Sequence, residues 1–193
     1  MNISEWFANP LSWVDYELYG NSVTAWAAAA ALFVVASLSL FLFRRVLRRR
    51  LNNLQTGRSE TAFGVTAYVV RKTRGWFLLL IALFISTRPL DLTESVDRVA
   101  ATLAIIALVL QLGVWVSAAV VRVIQIKREE ELEENPGAVA AIDITSFLVQ
   151  VAIWSTVLLL VLDNIGINIT GLVAGLGVGG IAVALAAQSI LRD

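Results

Sequence analysis

The sequence predicts an all-α, polytopic membrane protein with five transmembrane helices, the last rich in glycine and alanine. Three observations carry that fold class. Of 193 residues, 58% are hydrophobic and 16% are charged, with a mean hydropathy of +0.77, whereas a water-soluble domain is nearer half apolar and a quarter charged. The apolar residues are gathered into uncharged runs bounded by charged ones, several near the roughly 20 residues that cross about 30 Å of hydrocarbon as a helix. Five of the twelve glycines fall within ten residues, at Gly171, Gly175, Gly177, Gly179 and Gly180, a density suited to close helix packing in a membrane.

Residues 1–21 contain no Lys or Arg and so lack the basic flank of a signal peptide. Trp6, Phe7, Trp13, Tyr16 and Tyr19 instead suit an interfacial aromatic belt on the extracytoplasmic side, with Pro10 breaking any long helix. Residues 22–163 are expected to hold four helices forming a peripheral, sensing region. The first runs from Ser22 to Phe43, closed by Arg44 and Arg45. The second, Gly75 to Thr87, has only 13 uncharged residues, about 20 Å of helix. Snorkelling Arg71, Lys72 and Arg74 at one end, Arg88 and Pro89 at the other, and a prolongation of the same helix over Thr61 to Val70 make up its length. The third runs from Val99 to Val121 and the fourth from Ile144 to Leu162, framed by Asp143 and Asp163. Glu129 to Glu134 read as a solvated extension of the third span that ends in a turn at Asn135, Pro136 and Gly137; pairing of those acids with arginines 44 to 50 is the alternative. Residues 164–193 hold the fifth helix, preceded by a turn at Asn164 to Asn168.

Orientation follows from the basic residues of short loops. With five spans, one side receives thirteen Lys and Arg residues, nine of them between Arg44 and Arg74, and the other only Arg88 and Arg98. The expected topology in the cell (inner) membrane is therefore N-terminus outside and C-terminus cytoplasmic.

Five glycines in a helix interior cost about 5 kcal/mol relative to alanine, which close packing must offset. On a wheel of 100° per residue, one stripe holds Thr170, Ala174, Gly177, Val178, Ile181, Leu185, Gln188 and Arg192. One flank holds Gly171, Gly175, Gly179, Ala182 and Ala186; the other holds Gly180, Ala184 and Ala187, with Val173 its bulky member. Leu172, Leu176, Val183 and Ile190 form the back, suited to lipid or to the fourth span. A helix with two different small flanks can pack left side to right side on identical neighbours, a heterologous contact that closes into a ring. The seam then faces the axis, Ile181 and Leu185 form two apolar rings that close a pore by dewetting, and Gln188 and Arg192 stand at the cytoplasmic mouth. The wheel leaves a second packing open, a helix buried within its own five-helix bundle and no pore.

The stretch from Leu162 to Gln188, with its Gly/Ala pattern ending in Leu-Ala-Ala-Gln, looks like the pore-lining helix of the small-conductance mechanosensitive channel family. The resemblance covers about 30 residues, about 50 with the fourth span. It implies a homo-oligomeric ring, typically a heptamer, opened by membrane tension and passing ions and small osmolytes with little selectivity. Ile181 and Leu185 then match the two apolar gate positions, isoleucine standing where leucine is more usual, and Ala174, Gly177, Gly180, Ala182 and Ala184 match helix-packing positions. Ser189 falls where some members have a glycine that kinks the helix. Members continue into a β domain and a cytosolic vestibule, so a sequence ending at Asp193 reads as the membrane part of such a chain.

Other chemistries find little support. With no cysteine and no histidine, thiol nucleophiles, imidazole bases and the common zinc sites are excluded, and no cofactor is expected. Gly175 to Gly180 satisfies the dinucleotide fingerprint G-x-G-x-x-G, but no strand precedes it and no acidic ribose ligand follows. Asp143 and Asp163, the carboxylates an intramembrane hydrolase would need, sit at opposite ends of the fourth span. A transporter would require intramembrane ionisable residues that the spans lack. The expected protein is no enzyme and binds no nucleic acid; its partners are membrane lipids and its own copies. The competing reading is a non-conducting membrane scaffold or helix-packing module.

Overall fold

The computed structural model describes residues 17–54, 62–134 and 136–192. It opens with an unforeseen hairpin, β1 (Glu17–Leu18) against β2 (Asn21–Ser22), antiparallel with Glu17 opposite Ser22. Tyr19 (φ 54°) and Gly20 (φ 77°) make its turn, the two positive φ values that a tight two-residue hairpin requires. The remaining elements among the described residues are helices.

Helix α1 (Val23–Leu54) starts where the Ser22 hydroxyl accepts the Ala25 N–H at 3.2 Å, an N-cap bond. It runs on through the arginines rather than ending at Phe43, because arginine is a good helix former. The expected second helix is two. Helix α2 (Ala62–Arg71) and helix α3 (Gly75–Ser86) are separated at Lys72–Arg74, which corrects the continuous helix expected from Thr61 onward. The last turn of α2 tightens, with the N–H groups of Lys72 and Thr73 on the carbonyls of Val69 and Val70, and Arg74 is extended (φ −86°, ψ 146°). Side chains from two other helices satisfy the groups this frees. Arg48 donates to the Arg71 carbonyl, Gln111 Oε1 accepts the Arg74 N–H at 3.1 Å, and Trp115 Nε1 donates to Thr73 Oγ1 at 3.1 Å.

Helix α4 (Glu94–Glu134) is 41 residues long, about 60 Å. Its first turn carries Glu94 and Asp97, acids where the helix dipole favours them. Helix α5 (Pro136–Asn164) begins eight residues before Ile144. Pro136 and Gly137, expected in a turn, are instead its first residues; proline suits that position because its missing N–H would have no helical partner there. Arg128 Nε donates to Asp143 Oδ1 at 3.0 Å across the α4–α5 hairpin. Residues 130–134 belong to α4 by their backbone, and the alternative pairing of these acids with arginines 44 to 50 falls outside the described residues. So do Trp6, Phe7, Trp13 and Tyr16; Tyr19, at the hairpin tip, is 91% exposed.

The helices form a meander in which α1 packs on α3, α2 and α3 lie in succession along α4, and α4 packs on α5. Both ends of the first pair are tied. Asn21, buried, donates to the Asp91 carbonyl at 3.0 Å and accepts the Asp91 N–H at 2.6 Å, while Arg48 meets Arg71 at the other end. The core is thin and lies between α3, α4 and α5, where Leu78, Ala82, Ala104, Ala107 and Val157 are buried. Large aliphatic side chains face outward along α1, α4 and α5, as lipid-facing surfaces do.

Among the described residues, three helices are long and apolar enough to cross a membrane, over Val23–Leu51, Glu94–Glu129 and Val139–Asn164. Gly75–Ser86 and Thr170–Ala182 are shorter apolar helices. At 12 residues, α3 reaches about 18 Å, so any crossing there must use α2 and the break as well.

Candidate functional site

The expected turn after the fourth span is present, and its chemistry is explicit. Gly166 (φ 89°) follows α5, its N–H on the Asp163 carbonyl at 2.9 Å and the Ile167 N–H on the Leu162 carbonyl at 3.0 Å, the double bond of a Schellman cap. Glycine is required here because other residues resist that left-handed backbone. Asn168 Oδ1 then accepts the Thr170 N–H at 2.9 Å, and helix α6 (Thr170–Arg192) begins. It continues through Ser189 as one helix.

Among the described residues, helix α6 forms no substantial packing interface with α1 to α5, and every residue from Thr170 to Ala182 is exposed. Of the alternatives left open by the wheel, packing inside its own bundle and packing of the back face on the fourth span are not seen among the described residues. Ile181 is 63% and Leu185 61% exposed, on the same stripe as Val178; Leu172 and Leu176 are exposed on the opposite side. Ala174, Ala184 and Gln188 are exposed as well. Ser189 and Arg192 have their backbone in α6, and their side chains lie outside the described set.

The glycines discriminate between kinds of packing. At Gly113, midway along α4, an added Cβ would lie 2.5 Å from Val157 Cγ2 of α5, so that glycine lets two helices of this chain touch. At Gly171, Gly175, Gly177, Gly179 and Gly180 an added Cβ would meet nothing within 4 Å. Nothing among the described residues offsets their cost in helix propensity.

Among the described residues, no three His, Cys, Asp or Glu side chains converge to hold a metal. Asp143 is paired with Arg128, and Asp163 is twenty residues further along α5, about 30 Å away.

One polar feature escaped the sequence reading. Gln111 is fully buried, one turn before Trp115, which also packs edge-on against Phe77 at 6.1 Å. Together they hold the α2–α3 break. The signal available was a single amide within an apolar run, four residues from an indole.

Comparison with known proteins bears on the same helices. Residues 147–188, which take in most of α5, the capped turn and α6 to Gln188, match the family model for mechanosensitive ion channel transmembrane helices 2/3. Over 50 residues the chain is 48% identical to the large-conductance mechanosensitive channel MscMJLR of Methanocaldococcus jannaschii, a stretch that is 26% of this chain and 14% of that protein. No solved structure matches the chain. The α5–turn–α6 segment is thus similar to transmembrane helices 2/3 of mechanosensitive ion channels, and the chain spans only a small part of the length of the relative it matches. The relative's name carries the large-conductance label, so the likeness extends to the family and not to a conductance class.

Proposed function

We propose that this chain contributes the transmembrane part of a membrane-tension-gated ion channel of low selectivity that protects against osmotic stress. In this reading α6 helices from several copies line the pore. Gly171, Gly175, Gly179 and Ala182 of one copy face Gly180 and Ala184 of the next, and the seam carrying Ala174, Gly177, Ile181 and Leu185 faces the axis. Ile181 and Leu185 are the apolar constriction, and Gln188, Ser189 and Arg192 stand at the mouth. A homo-heptamer is the stoichiometry that the family resemblance suggests. The chain crosses the inner membrane with its N-terminus outside, residues 22–163 forming the lipid-contacting periphery and 164–193 the pore helix.

The observation that carries this reading is the open space at every glycine of α6. Among the described residues nothing closes on those glycines, and a neighbouring copy of the same helix would supply the close contacts they permit. Lipid is a poor partner for that face, because flexible chains do not reward a groove of glycines as a second backbone does. An apolar double ring narrows a pore without a plug, since water leaves a constriction it cannot hydrogen-bond.

The test is electrophysiology and growth in a channel-deficient cell. Leu185→Ser puts a hydroxyl in the constriction and should give a leaky channel that opens at lower tension and slows growth by several-fold. Leu176→Ser, on the back of the helix, should leave gating and growth unchanged. Equal leak from the two variants would mean that the seam does not face the axis.

A further inference from the structure

The last two turns of the apolar run of α1 change character abruptly on one face. Leu38, Phe41 and Leu42, followed along the helix by Arg44, Arg45, Arg48 and Arg49, line an open groove of about 430 Å³. The three apolar side chains are exposed, Leu38 at 58% and Leu42 at 57%. The arginines divide into two sets. Arg44 turns toward α3, its Nη1 3.6 Å from where a Cβ on Gly75 would stand, and Arg48 donates to the Arg71 carbonyl. Arg45 and Arg49 are exposed, one helical turn apart, and none of the ion pairs formed among the described residues involves them.

We propose that this groove is a binding site for an anionic phospholipid. Its phosphate lies between Arg45 and Arg49, with Arg48 at the rim, and its acyl chain lies along Leu42, Leu38 and Phe41. Charge complementarity selects this occupant. Guanidinium groups bind phosphate through paired charge-assisted hydrogen bonds, and the adjoining apolar surface continues into the depth where a span of this length is surrounded by hydrocarbon. A soluble anion would use the arginines and leave the leucines exposed; a zwitterionic lipid would cover the leucines and bring a cation to the arginines. Basic clusters next to a membrane helix contribute to anionic lipid affinity residue by residue. The site lies on α1 alone and does not depend on the pore reading.

The test is native mass spectrometry of the full chain extracted from membranes holding equal phosphatidylglycerol and phosphatidylcholine. The unmodified chain should retain phosphatidylglycerol preferentially, and Arg45→Gln with Arg49→Gln should reduce that preference about 30-fold. Arg88→Gln with Arg98→Gln, the same charge change beyond the other end of α3, should leave it unchanged, and millimolar inorganic phosphate should not displace the lipid. Equal retention of the two lipids by the unmodified chain overturns the site, as do an equal loss in the two double variants and displacement by phosphate.

Discussion

Gly113 and the glycines of α6 put one residue type in opposite physical situations. At Gly113 the missing side chain is filled by Val157, a β-branched residue whose single preferred rotamer gives it little room to move. Gly113→Ala therefore gains about 1 kcal/mol of helix propensity and meets overpacking of about 1–3 kcal/mol. The expected outcome is a less stable α4–α5 hairpin, read as a lower unfolding midpoint in lipid or detergent, and Gly113→Ala combined with Val157→Ala should recover part of the loss. Gly171→Ala, where a Cβ has open space within the chain, should not lower the stability of the isolated protomer.

At the scale of the element, the break between α2 and α3 is the feature that most distinguishes this chain from a row of plain spans. The Arg74 N–H and Thr73 hydroxyl are held by two side chains of one α4 face. Gln111→Leu should leave the Arg74 N–H without an acceptor, at a cost of about 1–3 kcal/mol, and hydrogen exchange at residues 72–75 should speed up by tenfold or more while exchange in α5 is unchanged. Helices and their order were legible in the sequence because long apolar runs have one stable solution in lipid. The break was not, because nothing local demands it. Lys72, Thr73 and Arg74 are ordinary helix residues, and the interruption exists through partners about forty positions away. The hairpin at Tyr19 was hidden for a related reason, since a tyrosine in the left-handed region is held by tertiary contact, here the Asn21–Asp91 clamp. The faces of α6 were legible because helical periodicity alone sorts small from bulky residues; its isolation from the bundle was not, because a wheel shows faces and not what meets them.

For the whole molecule, the Asn21–Asp91 contact at one end and the Arg48–Arg71 contact at the other show that the α2–α3 unit returns the chain to the end from which α1 starts. If both α1 and that unit cross the membrane, the uneven distribution of Lys and Arg orients the chain with its arginine-rich segment in the cytoplasm. Cysteines placed at Ser95 should then react with impermeant reagents from outside, and cysteines at Ser59 or Ala138 should not. Labelling of Ala138→Cys from outside would remove the second crossing and invert α4 and everything after it.

The claim that the small-residue flanks of α6 meet the α6 of another copy can be read directly, because the chain has no cysteine of its own. Ala182→Cys lies on one flank and Ala184→Cys on the other, so left-to-right packing brings unlike positions together between copies. Oxidation in the membrane of a chain carrying both cysteines should produce a ladder of covalent multimers, while either cysteine alone should leave monomers. Monomers from the double variant, or dimers from a single one, would contradict a ring of α6 helices.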